Sequence, residues 1–344
     1  MKTSILYSVA YRAGNVLGDA VDVTMSTAAA TALTSLMVCT PAVAFQQASS
    51  SQAKPTFRSA VDLVSIAAVV RDRHGRFARG LRKEDFVIEE EGARRDIVEF
   101  HADENAPVRI ALLFDVSGSM RLATRLEDAR QTARQLVSAL RLGSEQDEVA
   151  VFSFDMNLQS LQSFTSDPNA IENALARVAP YGQTSLYDAI ALTAEEVANT
   201  RPGDRHRRAV VVLTDGVDTS SRLTPEKVSA LAASIDVPVY VITVASDVDR
   251  DAIERTYSLT AKAEGALRTL AHLTGGEAFV TSAPAHESIA VRQVVDELRH
   301  QYVMAVAASG RSGWHTLSVR TREKDLTVRA RSGYSAVDRG GVIF

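Results

Sequence analysis

The chain has 344 residues, 23% of them charged and 46% hydrophobic, an ordinary balance for a folded chain with room for about two domains. A net charge of −4 supplies no electrostatic case for nucleic acid or an anionic membrane surface. A single cysteine, Cys39, excludes an intrachain disulfide and a cysteine-based zinc site.

Residues 1–44 read as an export signal with a long leading region. Ser26 to Phe45 carries no charge, and Ala42-Val43-Ala44 has the small-x-small form of a cleavage site. The same uncharged run, about 20 residues, also has the length of a membrane anchor. Leu36-Met37-Val38-Cys39 faintly resembles a lipoprotein box, with Val38 where a small residue is expected. Residues 45–56, rich in Gln and Ser, form a polar linker with nothing to bury.

From residue 57 to 106 the pattern is short apolar runs with turn signals about every ten residues: Val61 to Val70, Asp85 to Ile88 and Ile97 to Phe100. Fifty residues make a thin stand-alone sandwich. The missing strands are available at the other end, in Gln301 to Ala307, Trp314 to Arg320 and Leu326 to Ala330. We therefore expect residues 57–106 and 301–336 to combine into one small β-sandwich, with an α/β domain over residues 107–300 inserted between them and a loose tail at 337–344.

Within 107–300, apolar runs alternate with helical periodicity. Val108 to Phe114, Glu148 to Phe154, Arg208 to Asp215, Pro238 to Ala245 and Glu277 to Thr281 read as strands. Leu122 to Leu142, Pro168 to Val178, Ser185 to Asn199, Lys227 to Ile235, Ala261 to Thr274 and Glu287 to His300 read as helices. Leu158 to Phe164 returns by so short a turn that it must run antiparallel to its predecessor. The fold class is α/β: a doubly wound, mostly parallel sheet with helices on both faces, flanked by the sandwich.

The stretch Ile110 to Met120 (IALLFDVSGSM) is the centre of the functional reading. An apolar strand ends in Asp115, Ser117 and Ser119, with Gly118 between the serines. Open α/β sheets place ligands at the carboxyl ends of their strands. One carboxylate and two hydroxyls make a poor catalytic set but a sensible part of an Mg²⁺ shell, which takes about six oxygens at ~2.0–2.1 Å. Thr184 opens a Gly-containing loop running into a helix, and Asp215 closes a later strand before Gly216. Loops at the carboxyl ends of neighbouring strands converge, so Asp115, Ser117, Ser119, Thr184 and Asp215 can share one ion.

These three pieces, Asp-x-Ser-x-Ser, a loop Thr roughly seventy residues on and an Asp closing a later strand, occur here in order. They resemble the metal-ion-dependent adhesion site of von Willebrand factor A domains. The flanking segments around 298–302 and 329–334 look like those of exported bacterial proteins related to that family. The resemblance implies Mg²⁺ or Mn²⁺ held by Asp115, Ser117, Ser119, Thr184 and Asp215, and an open coordination position for an Asp or Glu carboxylate of a protein partner. It also implies a binding or adhesion module of the cell envelope, periplasm or exterior.

Two other readings stay open: an envelope scaffold with a vestigial ion site, and a metal-assisted hydrolase. The sequence has neither a Gly-x-Ser-x-Gly elbow nor a Gly-x-x-x-x-Gly-Lys-Ser/Thr phosphate loop, so the expectation is a protein that is not an enzyme. Asp188 and Asp218 are expected beside the site or at the surface rather than on the ion. Arg205 to Arg208 is expected to be a solvated loop. Trp314 is expected in core or strand packing.

Overall fold

In the computed structural model the described residues are 63–336, without 123, 144–146, 181, 202–203, 217, 235, 245–263 and 282–283. They belong to one compact unit, Arg58–Phe344. The signal or anchor, the linker, Cys39 and the tail at 337–344 lie outside the described residues.

Six strands form the central sheet: β5 (Val108–Asp115), β6 (Glu148–Phe154), β7 (Leu158–Thr165), β8 (Arg207–Thr214), β9 (Val239–Val244) and β10 (Ala278–Thr281). Their order is β10-β9-β8-β5-β6-β7, parallel throughout except for β7 against β6. All eight residues of β5 are buried, as a central parallel strand covered on both faces requires. Its side chains alternate between two cores. Ile110, Leu112 and Phe114 pack with α1 (Arg125–Ser138), α2 (Pro168–Arg177) and α6 (Pro284–Arg299). Ala111 and Leu113 pack with α3 (Leu186–Asn199), α4 (Pro225–Ser234) and α5, seen over residues 264–273. Each fully buried large aliphatic chain contributes about 2 kcal/mol.

Local chemistry explains the element ends. Asp167 accepts from the amide of Asn169 and Pro168 opens α2, the acceptor-then-proline arrangement that suits a helix start. Helix α5 stops before Gly275 and Gly276. A Cβ on Gly276 would lie 2.1 Å from the carbonyl oxygen of Val239, so the chain passes the start of β9 closer than any other residue allows.

The chain leaves β5 for β6 and β7 on one side, then returns to place β8 on the other. The loop after β5 leads to α1 on one face, and the loop after β8 leads to α4 on the opposite face. Two adjacent loops that part in this way open a crevice above the strand ends, the topological switch point where such sheets bind ligands.

Two antiparallel sheets accompany the α/β body: β13-β1-β11-β4 and β14-β12-β2-β3. Strand β1 (Leu63–Asp72) lies between β11 (Tyr302–Ala307) and β13 (Leu326–Ala330), so the two ends of the chain interleave. The remaining strands are β2 (Phe86–Glu90), β3 (Ala93–Arg95), β4 (Ile97–His101), β12 (Gly313–Thr321) and β14 (Gly333–Ala336). Ile66, Ile88, Met304, Leu317 and Tyr334 form the shared core.

Strands β3 and β14 are too short and polar to register as apolar runs. The reading of Arg205 to Arg208 as a solvated loop needs correction at Arg207: Arg205 is exposed ahead of the strand, but Arg207 belongs to β8 and is buried, and Arg208, read as the start of that strand, pairs with Asp204 at 3.1 Å. Trp314, expected in core or strand packing, is in strand packing: it lies on β12, 42% exposed, its ring covering Gly333 on the neighbouring strand, where a Cβ would come within 2.4 Å of the indole.

Candidate metal centre

The crevice between the β5 and β8 ends holds a cleft of about 430 Å³ lined by Ser117, Ser119, Thr184 and Asp215, together with Arg125 and Thr219. The fifth expected residue, Asp115, lies beneath it, fully buried at the last position of β5. Its carboxylate accepts the amide of Ser117 at 2.9 Å and the hydroxyl of Thr214 at 2.6 Å. The Oγ atoms of Ser117 and Ser119 are 3.0 Å apart. Alternate positions after the strand thus turn both hydroxyls to one spot, and the amide of Gly118 secures the loop by donating to the carbonyl of Gly182 at 3.0 Å.

Gly182 has φ +92°, and a Cβ there would meet Oδ2 of Asp155 at 2.9 Å. Only glycine combines that left-handed turn with such close passage. The loop it begins is tied to the one after β8 by a stack of bonds. The carbonyl of Thr184 accepts the amides of Thr219 and Ser220, at 3.0 and 2.9 Å, and its own amide donates to the Thr219 hydroxyl at 3.0 Å.

The first turn of α3 is capped from outside its own segment. Ser185 makes no side-chain cap. Instead Asp218 accepts the amide of Leu186 at 2.9 Å and Ser221 accepts that of Tyr187 at 2.9 Å. Asp188 returns the grip by accepting the amides of Arg222 and Leu223, at 3.0 and 2.9 Å. Asp188 and Asp218 therefore fasten two loops together, which holds Thr184 and Asp215 on one cleft although 31 residues separate them in the chain.

The electrostatics of the cleft are unbalanced. Burial, then the charge of Asp215, pushes the Asp115 carboxyl up to about 6, against the hydrogen bonds from Thr214 and Ser117. The Oδ2 of Asp215 pairs with Arg125 at 2.8 Å. Its Oδ1 is buried with no hydrogen-bond partner among the described residues. A buried carboxylate oxygen left in this state costs about 1–3 kcal/mol or more, so its neighbourhood fits a cation. The donor set points the same way: two carboxylates and three hydroxyls are hard oxygen ligands suited to Mg²⁺ or Mn²⁺.

Arg125 and Thr214 escaped the sequence reading. Thr214 stood inside a recognised strand end. Arg125 looked like one more charge on an amphipathic helix, and nothing local ties it to an aspartate 90 positions away.

The von Willebrand factor type A domain model matches residues 110–272. A curated relative, the thrombospondin-related anonymous protein of Plasmodium falciparum, is 28% identical over 124 residues, which is 34% of this chain; the chain spans only 22% of that relative's length. Among solved structures, an aerotolerance-related membrane protein from Bacteroides fragilis aligns at 20% identity and a TM-score of 0.45, covering 55% of this chain and 99% of the other. The proximal thread matrix protein 1 of mussel byssus, solved with zinc in its MIDAS motif, aligns at 19% identity and a TM-score of 0.42, covering 61% and 49% of the two chains. This chain carries a von Willebrand factor type A domain over residues 110–272.

Proposed function

We propose that this protein is a metal-ion-dependent protein-binding module of the bacterial cell envelope or its exterior. It would hold Mg²⁺ or Mn²⁺ with Asp115, Ser117, Ser119, Thr184 and Asp215, and capture an acidic side chain of a partner protein. The observation that carries this reading is the buried Oδ1 of Asp215, without a hydrogen-bond partner among the described residues, in a cleft that Asp215 shares with Ser117, Ser119 and Thr184 above a second buried carboxylate.

When bound, the ion would supply a Lewis-acidic position open to an external carboxylate. The chain's own residues set the conditions for that role. Two carboxylates balance most of a divalent charge without quenching its pull on a third. The hydroxyls of Ser117, Ser119 and Thr184 add donors without adding charge. Asp188 and Asp218, by tying the loops, keep the donors in place before an ion arrives, which lowers the ordering cost of binding.

Export would rest on residues 1–44, whether cleaved or kept as an anchor.

The test is calorimetric titration of Mg²⁺ and Mn²⁺ into the chain, paired with retention on immobilised Asp-containing and Asn-containing peptides. We expect saturable ion binding, peptide retention that EDTA removes, preference for Asp over Asn, and loss of both activities in Asp115→Ala. Ion binding that survives in Asp115→Ala would sink the site assignment, and peptide retention indifferent to EDTA would sink the mode of capture.

A further inference from the structure

The cation already inside the cleft belongs to the protein. Arg125 opens α1, yet its side chain folds back over the loop and is only 8% exposed as a residue. One nitrogen, Nη1, donates both to the carbonyl of Ser119 at 3.0 Å and to Oδ2 of Asp215 at 2.8 Å. The guanidinium therefore bridges the loop after β5 and the loop after β8, the two segments that frame the crevice. It grips the backbone of one expected ion ligand and the side chain of another.

A guanidinium buried this far is tolerated because it faces opposite charge. The same position gives it an effect on any second cation. Among the described residues, two carboxylates and one guanidinium leave the cleft one unit negative. A divalent ion seated beside Oδ1 of Asp215 would make it one unit positive, whereas the carboxylates and the ion alone would cancel. Inside a partly buried cleft this repulsion is weakly screened. Arg125 thus opposes entry of the ion, and once the ion is in, it strengthens the attraction for an anionic ligand.

We infer that Arg125 is a resident counter-charge that sets the ion concentration at which this site loads and biases the loaded site toward carboxylates. It holds Oδ2 of Asp215 and leaves Oδ1 without a hydrogen-bond partner among the described residues. This rests on the ion-binding reading given above.

The charge role and a merely structural one differ in sign. If Arg125 only braces the two loops, removing it disorders the ligands and weakens ion binding. If it opposes the ion, removing its charge tightens binding.

The experiment is titration calorimetry of Mn²⁺ and Mg²⁺ into the full chain and into Arg125→Gln, Arg125→Met and Arg125→Lys, with circular dichroism to verify folding. We expect the two neutral variants to bind the ions about tenfold or more tightly than the natural chain, and Arg125→Lys to stay within about threefold of it. Equal or weaker ion binding in a folded neutral variant overturns the proposal. So does loss of fold in both neutral variants while Arg125→Lys folds, because that assigns Arg125 a structural role. If the natural chain binds no ion and a neutral variant does, the ion-binding function fails for this protein while Arg125 stands as the charge that blocks it. If none of the four binds, both fall together.

Discussion

At the amino end of the central sheet, Arg109 of β5 is fully buried and its charge is fully answered. It meets Glu148 at 2.8 Å and Asp204 at 2.5 Å, and those carboxylates are shared with Arg201 at 2.8 Å and Arg208 at 3.1 Å. Nearby, buried Asp147 accepts the amides of Val108 and Arg141 and pairs with Arg299. At the carboxyl end of the same strand, Asp115 and Asp215 have one guanidinium between them among the described residues, and one carboxylate oxygen has no hydrogen-bond partner there. Both ends bury charge, but the carboxylates of the amino end are balanced by guanidiniums, and the buried group left without a hydrogen-bond partner there is a donor, Nε of Arg207, whereas the carboxyl end leaves an acceptor open. Balanced carboxylates have nothing to offer a cation. An unbalanced one keeps a place for a charge from outside.

The comparison can be broken by experiment. The largest expected effect is at the balanced end. Arg109→Met removes a fully buried guanidinium from two half-buried carboxylates and leaves them only Arg201 and Arg208, and urea unfolding should report a loss of about 3 kcal/mol with Mg²⁺ affinity unchanged. A loss of ion binding in that variant, with the fold intact, would mean that the two ends are coupled and the contrast is false.

The second effect concerns pH at the unbalanced end. The carboxyl of Asp115 sits near 6 in the folded chain against an ordinary value of 3.8. A raised folded value means that the native state holds the proton more tightly than the unfolded chain does. Its charge therefore penalises the ion-free protein above pH 6, and the penalty fades as pH falls toward 4.5. Relative to Asp115→Asn, the ion-free protein should gain about 2 kcal/mol between pH 7 and 4.5. Apparent ion affinity should move the opposite way, falling about tenfold per pH unit below 6, because the proton and the ion compete for one carboxylate. Parallel stability profiles for the two proteins would show that Asp115 is not under electrostatic pressure.

The smallest effect tests the loop fastening. Asp218→Ala removes the acceptor for the amide of Leu186 and should cost about 1 kcal/mol in unfolding experiments. It should weaken ion binding severalfold by loosening Thr184 relative to Asp215. Unchanged ion affinity at that stability cost would confine Asp218 to capping α3.

Much of the architecture was legible in the residue pattern, for reasons of periodicity. A strand buried on both faces must be apolar throughout, as β5 is, and a helix lying on a sheet must show a 3.6-residue apolar stripe. The antiparallel return of β7 followed from a turn too short for any crossover. The pairing of chain ends in the sandwich followed from two half-sets of strands, each too few to bury a face. The short strands β3 and β14 did not show, because an edge strand held mainly by backbone bonds needs no apolar pattern.

The sequence by itself determined where the candidate oxygens stand, since Asp115, Ser117, Ser119 and Asp215 fall where an apolar strand gives way to a polar loop and Thr184 falls where a Gly-containing loop runs into a helix. It was silent on charge balance. Arg125 reads as a surface helix residue, and Arg207 reads as loop, until the fold sets Arg125 beside Asp215 and buries Arg207 in β8. Pattern reports burial because burial is local to an element's face. Compensation of charge is a property of pairs, and only the closed tertiary structure decides which groups are paired and which oxygen is left over.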